Sequence, residues 1–381
     1  MNVPERPVWA EVDLAAISAN VAMLRERAGV DVCAVVKADG YGHGAVPVAK
    51  AALRGGASML AVALVAEGSE LRNAGIDARV AVLSQASPGE LGELVARRLD
   101  ATVYTDSGVD ALAALAESAG RGPADPVGVH LKVDTGMRRV GARPAEVVDI
   151  ARSIQKSHAL RLDSVFTHFA VADEPSYPFT AEQTSRYREV LARLEEAGVT
   201  VPVRHAANTA GAIAHPDARF DMVRLGIGIY GLDPGPEVRG LVPFRPAMSL
   251  RARVSHVKRI EAGERVSYGL RFAATRQTTI ATVPLGYADG VTRSLGATGG
   301  EVLIGGRRHP IAGTVTMDQL MVDCGDEPVE VGDEVVLFGR QGDEVLSVDE
   351  WADRVGTINY EIVCGISPRV PRRYREAEDA P

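Results

Sequence analysis

Lys37 occupies a position where a lysine can become a nucleophile. It follows the apolar run CAVV directly, and the glycine-rich segment ADGYGHG follows it. A lysine held at the end of a buried strand loses hydration, which lowers its pKa and makes its amine reactive toward an aldehyde. The same position also suits a lysine that buries only its alkyl chain and keeps its ammonium in water. The position alone leaves both interpretations open.

Polar side chains follow four further apolar runs of the chain. They are Lys132 with Asp134, His168, Asn208 and Arg224. In a barrel of parallel strands, functional residues lie where the strands end and the loops begin. If the runs are strands of one barrel, these residues and Lys37 are candidates for a single site.

Short β-rich runs alternate with amphipathic segments between Val32 and about Leu232, as in βα units around a parallel sheet. The eight candidate strands are DVCAVVK, SMLAVAL, RVAVLS, DATVY, VGVHLKVD, DSVFTHF, VRHAA and MVRLGI. The predicted helices between them are LVAEGSELRNAG, PGELGELVARRL, DSGVDALAALAESAG, ARPAEVVDIARSIQ and AEQTSRYREVLARLEEAG. Another helix, DLAAISANVAMLRERAG, precedes the first strand and follows Asp13, a potential cap. Eight repeats favour a (β/α)8 barrel over an open doubly wound sheet.

The pattern changes after about Pro243 to alternating segments interrupted by glycine, among them SLRARVSHVKRI, TTIATVPLGYADG and EVLIGGRRHPIAG. This pattern predicts a mainly antiparallel β domain with one short helix at VDEWADRVG. The segment DPGPEVRGLVPFRP, rich in Pro and Gly, marks the boundary. We therefore expect an α/β chain with a barrel over residues 1–240 and a β domain over 241–381, which the first ten residues could join.

Composition narrows the class of protein. Among 381 residues, 50 acidic and 42 basic residues give a net charge of -8 without a long basic run, which argues against nucleic-acid binding. Three separated cysteines argue against a disulfide framework and a zinc site, and favour a reducing cytoplasm. The longest apolar run, residues 57–66, is too short to span a membrane, and the N-terminus lacks the pattern of a signal peptide.

The segment AVVKADGYGHG resembles the cofactor-lysine signature of alanine racemases. The resemblance continues in family order through HLKVDTGMRRVG, FTHFAVAD, HAANTA, MVRLGIGIYG, VSYG, LGYADG, TMDQLMVD and INYEIVCGISPRVPR. Nine motifs in order are far more specific than one. The resemblance implies a cytoplasmic homodimer that uses pyridoxal phosphate to interconvert L-alanine and D-alanine, and so supplies D-alanine for peptidoglycan.

The resemblance implies that Lys37 carries the cofactor covalently and acts as one of two opposed bases. Tyr268, contributed by the partner subunit, is the other. A free tyrosine has a pKa near 10, so it needs cationic or hydrogen-bonding neighbours to act as a base, and His168 and Arg224 are the expected ones. Without the motif, Tyr268 would be interpreted as a packed aromatic residue of the β domain.

Other family positions contact the cofactor. The resemblance places Asn208 beside it and implies that its phosphate is held by Tyr41, Thr209, Tyr360 and the backbone amides of Gly226 and Ile227. Arg224 faces the pyridine nitrogen. Because a guanidinium holds its proton more tightly than that nitrogen can, the ring is expected to stay neutral. A neutral ring delocalises a carbanion less, which disfavours transamination.

The substrate side of the site departs from the family pattern in two places. The motif GMRRVG has two arginines where the family commonly has one; we choose Arg139, which directly precedes the apolar-Gly pair, as the residue that contacts cofactor and substrate. The segment GTVTMDQ replaces the frequent GRVCMDQ, while keeping Met317 as the residue beside the substrate carboxylate and methyl group. By the same resemblance, Tyr287 and Arg293 line the substrate corridor.

Lys132 has two interpretations. In some family members the corresponding lysine is carbamylated, and the resulting anion can orient Arg139. An ordinary surface ion pair between Lys132 and Asp134 is the alternative. A buried core methionine is likewise the alternative for Met317.

Two other classes of protein share parts of this pattern. Decarboxylases of basic amino acids combine a barrel and a β domain, but their glycine-rich phosphate motifs are not found in this chain. The pyridoxal-phosphate-binding homeostasis proteins are single barrels without the domain that carries Tyr268. A serine or broad-spectrum racemase would differ from an alanine racemase by only a few pocket side chains, so substrate breadth stays open.

Overall fold

The computed structural model describes residues 6–376, which form two compact units. The larger unit contains residues 15–40 and 44–245. The smaller unit contains residues 6–14, 41–43 and 246–376. No helix within residues 6–376 is long and apolar enough to cross a membrane.

The strands, in chain order, are β1 (Val8–Asp13), β2 (Asp31–Val35), β3 (Met59–Val62), β4 (Val80–Val82), β5 (Ala101–Val103), β6 (Val127–Lys132), β7 (Leu160–Phe166), β8 (Val203–His205), β9 (Met222–Leu225), β10 (Met248–Arg253), β11 (His256–Ile260), β12 (Arg265–Val266), β13 (Phe272–Ala273), β14 (Thr278–Val283), β15 (Glu301–Ile304), β16 (Arg307–Pro310), β17 (Leu320–Gly325), β18 (Glu334–Gln341), β19 (Glu344–Leu346) and β20 (Arg372–Arg375). The helices are α1 (Leu14–Ala28), α2 (Lys37–Tyr41), α3 (Ala45–Arg54), α4 (Val65–Asn73), α5 (Leu91–Ala96), α6 (Asp106–Ser118), α7 (Val147–Lys156), α8 (Phe179–Glu196), α9 (Thr209–Ala214), α10 (Val348–Val355) and α11 (Asn359–Gly365).

The larger unit is the predicted (β/α)8 barrel. Its eight strands form two parallel runs, in the orders β4-β3-β2-β9 and β5-β6-β7-β8. A parallel bridge between Ala81 and Asp100 joins β4 to β5. The amide of Arg224 donates to the carbonyl of Ala207 at 2.9 Å and joins β9 to the end of β8. These two junctions close the barrel.

The five helices predicted between the strands are present as α4 to α8, and α1 begins directly after Asp13. The segment PGELGELVARRL is helical only over α5. Its first residues form a separate turn, because the carboxylate of Glu90 accepts hydrogen bonds from the amide and hydroxyl of Ser87 at 3.0 and 2.6 Å. Apolar faces of these helices pack against strands that are themselves buried on both sides, as in other parallel sheets.

The smaller unit is mainly antiparallel. Its largest sheet has the order β16-β15-β18-β10-β1-β20, with β19 paired to β18, and a second sheet has the order β11-β14-β17. The first strand, β1, pairs antiparallel with β10 and parallel with β20. The predicted helix at VDEWADRVG is α10; Ser347 caps it by accepting the amide of Glu350 at 3.0 Å, and Gly356 ends it at a φ of 74°. The helix α11 was not predicted.

Candidate active site

Lys37 begins α2, which is a single left-handed turn after the carboxyl end of β2 rather than a regular helix. Ala38, Asp39, Gly40 and Tyr41 all have φ between 51° and 59°. Left-handed backbone costs roughly 1–2 kcal/mol for each residue that carries a Cβ. Two hydrogen bonds oppose this cost: the Asp39 carboxylate accepts the amide of Ala45 at 2.8 Å, and Glu67 accepts the amide of Ala38 at 2.6 Å. The glycine-rich segment after Lys37 is therefore a hydrogen-bonded turn, and such stored strain is typical of functional sites.

Arg224 lies inside the barrel on β9 with only 3% of its surface exposed. Its guanidinium donates to the carbonyls of Thr167 and Ala206 at 2.7 and 2.9 Å, and to the Nδ1 atoms of His168 and His205 at 3.1 Å each. No carboxylate among residues 6–376 forms an ion pair with it. Burial lowers the pKa of Arg224 to about 10, so it keeps its charge at neutral pH.

The two histidines that accept from Arg224 are neutral. Burial is the main cause that lowers the pKa of His168 and of His205, and the charge of Arg224 adds to it. Each imidazole therefore presents an unprotonated Nδ1 to the guanidinium and carries its proton on Nε2. His168 was expected from the sequence. His205 was not singled out, although it opens the motif HAANTA.

Lys132 is buried at the end of β6, with 6% of its surface exposed. Its Nζ lies 3.2 Å from the carbonyl of Leu83. Burial lowers the pKa of Lys132 to about 8, aided by the charges of Arg224, Arg139 and Lys37 and opposed by Asp134. Within the described residues Lys132 has no ion-pair partner, so the surface ion pair considered above does not form.

Asp134 instead organises the following turn. Its Oδ1 accepts the amides of Gly136 and Arg138 at 2.9 and 3.1 Å, and its other oxygen lies 3.7 Å from the guanidinium of Arg138. Arg139 is not engaged in this way. Its charge is among those that lower the pKa of Lys132 and of His168. This difference supports the choice of Arg139 over Arg138 as the arginine that acts in the site.

The segments proposed to hold a phosphate meet beside β9. Thr209 Oγ1 accepts the amide of Gly226 at 3.1 Å, and Ile227 is buried. A Cβ on Gly228 would lie 2.6 Å from Thr209 Cγ2, so only glycine allows this close approach. Asn208 caps α9, because its Oδ1 accepts the amide of Gly211 at 2.9 Å. That contact gives Asn208 a local structural task.

The charges of the larger unit fit an anionic aldehyde cofactor. The charges of Arg224, Arg139 and Lys37 lower the pKa of Lys132, and those of Arg224, Arg139, Lys132 and Lys37 lower the pKa of His168. Among the main electrostatic effects on Lys132, Asp134 is the carboxylate that opposes them. This surplus of positive charge favours an anionic ligand. A lysine amine at the strand end, together with a threonine hydroxyl and backbone amides next to β9, is a donor set that suits the aldehyde and the phosphate of pyridoxal phosphate.

The smaller unit brings Tyr41 and Tyr360 together, with ring centroids 6.1 Å apart. Burial raises the pKa of Tyr41, and the nearby Cys364 adds to the rise, so its hydroxyl remains protonated and can donate. A Cβ on Gly42 would lie 2.2 Å from the carbonyl of Val363. The backbone after Tyr41 therefore packs closely against α11.

Tyr268 is exposed rather than packed, with 74% of its surface accessible. It begins a short 3-10 turn, Tyr268–Leu270, in the smaller unit. Thr314 Oγ1 donates to the carbonyl of Tyr268 at 2.9 Å, and Ser267 Oγ donates to the carbonyl of Thr314 at 2.6 Å. The backbone is fixed while the phenol projects from the unit, which contradicts the packed-aromatic alternative.

Met317 is also exposed, at 53%, so it is not a core methionine. Its carbonyl accepts the amide of Ala288 at 3.0 Å, and the carbonyl of Thr316 accepts the amide of Tyr287 at 2.9 Å. The structure thus brings together the motifs that contain Met317 and Tyr287. Arg293 lies in a separate 3-10 turn, Arg293–Gly296.

Comparisons with known proteins give a consistent result. Residues 12–234 match the family model of the alanine racemase N-terminal domain, and residues 247–374 match that of the C-terminal domain. An alanine racemase of Symbiobacterium thermophilum is 49% identical over 371 residues, which cover 97% of each chain.

Solved structures agree with these matches. The alanine racemase of Bacillus anthracis with bound L-Ala-P has a TM-score of 0.90 and 40% identity, and the match covers 98% of this chain and 96% of that one. A histidine racemase of Leuconostoc mesenteroides has a TM-score of 0.90 at 28% identity, with 98% and 99% covered. This chain therefore belongs to the alanine racemase family, the isomerases that use pyridoxal phosphate to interconvert L-alanine and D-alanine.

Proposed function

We propose that this chain racemises alanine with pyridoxal phosphate held on Lys37, and that Lys37 and Tyr268 are its two bases. The observation that carries the proposal is the pairing of a strand-end lysine with a buried arginine that has two neutral histidines and, within residues 6–376, no carboxylate partner. When bound, the cofactor withdraws electrons from the substrate Cα, so that the α-proton can leave at neutral pH.

Two bases on opposite faces of the substrate account for inversion without turning the substrate over. We assign removal of the α-proton of D-alanine to the Lys37 amine and that of L-alanine to the Tyr268 phenolate, with the other group returning a proton. General acid-base catalysis of this kind contributes about 10²–10⁴-fold to a rate.

The remaining residues hold the cofactor. We assign its phosphate to the hydroxyls of Tyr41, Thr209 and Tyr360 and to the amides of Gly226 and Ile227, its pyridine nitrogen to Arg224 and its phenolic oxygen to Arg139. His168 and Asn208 support the cofactor from the strand ends. Because the Arg224 guanidinium holds its proton more tightly than a pyridine nitrogen, Arg224 would leave that nitrogen unprotonated, and this would favour return of the proton to the substrate Cα.

We further propose a homodimer in which the partner subunit supplies Tyr268. Besides Tyr268, the exposed large side chains of the smaller unit include Leu270, Tyr287 and Met317. Exposed apolar side chains mark an interface where they form a continuous patch, and we propose that these four belong to one. A two-fold dimer would give each of two equivalent sites one Tyr268.

The first test is the reaction itself. Purified protein supplied with pyridoxal phosphate should convert L-alanine to an equal mixture of enantiomers, measured by chiral chromatography, without release of carbon dioxide. Because a histidine racemase shares this fold, L-serine and L-histidine should be tested in parallel. If L-serine or L-histidine is racemised faster than alanine, that amino acid is the preferred substrate. Release of carbon dioxide would indicate a decarboxylase instead.

Lys132 is proposed to react with carbon dioxide. With a pKa of about 8, about a tenth of its amine is neutral at pH 7 and available to attack carbon dioxide. The attack forms a bond between Nζ and the carbon of carbon dioxide, and the amine releases one proton to water. The carbamate product would be an anion among Lys37, Arg139 and Arg224, where it relieves their mutual repulsion and can orient Arg139. The cationic neighbours favour the carbamate anion for the same reason that they disfavour the ammonium, whereas burial contributes by leaving part of the amine neutral and reactive.

In ¹³C-bicarbonate, the protein should show a carbamate resonance by ¹³C NMR. Since a lysine amine is neutral above its pKa, the signal should grow as the pH rises from about 7 to about 9. Lys132→Met should remove the signal, whereas Lys50→Met, which replaces an exposed lysine, should retain it. A signal that survives in Lys132→Met, or none in the unaltered protein, would contradict the proposal.

A further inference from the structure

A continuous row of polar side chains crosses the interior of the barrel behind Arg224. Arg224 donates to His205 Nδ1 at 3.1 Å, and His205 Nε2 lies 2.9 Å from Ser164 Oγ. Ser164 Oγ is 2.5 Å from His130 Nδ1, and His130 Nε2 is 3.5 Å from Asp100 Oδ2. The last distance is longer than a typical hydrogen bond, and that contact is chiefly electrostatic.

The three middle members are buried and fixed by the strands. His130, Ser164 and His205 belong to the neighbouring strands β6, β7 and β8, and His130 is directly opposite Ser164 in the strand register. The ring of His205 also stacks on Phe166, with centroids 4.9 Å apart and an interplanar angle of 18°. Most polar groups this deeply buried in proteins form hydrogen bonds, and these three residues form them with one another.

Counting protons gives the row a direction. Arg224 can only donate, so His205 Nδ1 accepts and the neutral ring carries its proton on Nε2. That proton is directed at Ser164 Oγ, and the serine hydroxyl lies within hydrogen-bond distance of His130 Nδ1. His130 Nε2 is the atom that faces Asp100. The protons of Arg224 and His205 in the row therefore both point toward its Asp100 end.

Asp100 ends the row as a carboxylate. Burial by itself raises its pKa, but the contact with His130 and the charge and hydrogen bond of Arg79 outweigh burial, so its pKa is lowered. Arg79 lies 2.7 Å from Asp100 and also pairs with Asp163. The negative charge nearest to Arg224 along this row is thus Asp100, with His205, Ser164 and His130 between them.

We propose that Ser164 and His130 are positioning residues, which fix the proton of His205 on Nε2 and thereby hold Arg224 in the orientation that faces the cofactor ring. Only the effect on catalysis rests on the proposed function; the proton arrangement does not. Arg224 donates to Nδ1 and the Ser164 hydroxyl lies at Nε2, so the two contacts favour the same tautomer of His205. Without the Ser164 hydroxyl, a proton on Nε2 is buried without an acceptor, which lowers the preference for that tautomer. In the other tautomer the protonated Nδ1 opposes the Arg224 donor, and the guanidinium loses one of its anchors.

Three variants test the proposal. Ser164→Ala removes the bridging hydroxyl, and Ser164→Thr restores one at the same position. Thr102→Val is the matched control, because Thr102 is buried opposite His130 in the register of β5 and β6 and its hydroxyl has no hydrogen-bond partner within residues 6–376. It removes a buried barrel hydroxyl that lies outside the row.

Nitrogen-15 NMR of labelled histidine side chains reports the tautomers directly and needs no enzyme activity. The unaltered protein should show His205 as the neutral tautomer protonated on Nε2. Ser164→Ala should shift the signals of both His205 and His130, whereas Thr102→Val should shift neither. If His205 is protonated on Nδ1 in the unaltered protein, the proposal is overturned without any variant. It is also overturned if Ser164→Ala leaves the histidine signals unchanged.

Kinetics then test the consequence for Arg224. Ser164→Ala should lower kcat per cofactor-loaded site by about 3- to 10-fold, the range expected when a buried hydrogen-bonded row is interrupted, with KM changed by less than about twofold. Ser164→Thr should recover most of the loss. If Ser164→Ala shifts the NMR signals but kcat stays unchanged, the row does not position Arg224. If the unaltered protein does not racemise alanine at all, the proposed function fails while the NMR result still decides the proton arrangement.

Discussion

Lys37→Ala is expected to lower the rate of alanine racemisation by about 10³-fold or more. Under the proposed function, the substitution removes the covalent attachment of the cofactor and one of the two bases, and loss of a general base alone accounts for about 10²–10⁴-fold. The rate of enantiomer exchange at saturating pyridoxal phosphate measures the effect. Lys50→Met, on an exposed part of α3, should leave the rate unchanged.

Chemical labelling identifies the lysine independently of the rate. Borohydride treatment of the cofactor-loaded protein, followed by proteolysis and mass spectrometry, should find a pyridoxyl group on the peptide that contains Lys37. Lys132→Met should still be labelled on Lys37, because we assign Lys132 an electrostatic task and no covalent bond to the cofactor. Labelling of any lysine other than Lys37 would end the assignment.

The barrel could be predicted because its strands and helices carry strong local signals. Each of the eight predicted strands overlaps an observed strand, and each of the predicted helices overlaps an observed helix. The candidate residues at the strand ends could be found for the same reason. Once β7 and β9 are placed, the direction of the chain shows which end of each strand is its carboxyl end. His168 and Arg224 belong to those ends, where the functional residues of a barrel lie.

The polar interior of the barrel could not be predicted from local pattern. Which strand residues meet inside a barrel depends on how neighbouring strands are staggered, and the structure has a register shift between Val129 and His130. One signal was available: side chains two residues apart on a strand share a face, so His130 lies on the same face as Lys132. The link from His130 to His205 needs Ser164 on a third strand.

The left-handed turn after Lys37 also could not be predicted from the sequence pattern. Glycines at positions 40, 42 and 44 indicated a turn, but Ala38, Asp39 and Tyr41 adopt positive φ as well. Propensity disfavours that backbone for residues with a Cβ. Contacts with distant parts of the sequence stabilise it, including the carboxylate of Glu67 on α4. Tertiary contacts therefore override local preference at the lysine itself.

The position of Tyr268 leads to the second prediction. Tyr268 belongs to the smaller unit, where its phenol is exposed, and Lys37 belongs to the larger unit. If each site combines the larger unit of one chain with the smaller unit of its partner, two inactive variants should restore each other. Lys37→Ala mixed with Tyr268→Phe, under conditions that exchange subunits, should regain about a quarter of the unaltered activity.

The figure follows from the symmetry of the dimer. Random exchange makes about half of the dimers mixed, and in each of these one site receives both defects while the other receives neither.

Lys37→Ala mixed with Arg224→Ala is the matched control. Both substitutions lie in the larger unit, so every site of that mixed dimer keeps one defect and activity should not return. Native mass spectrometry establishes that mixed dimers have formed. If they have formed and the first pair still shows only the activity of its separate variants, Lys37 and Tyr268 do not meet across two chains and the shared site must be abandoned.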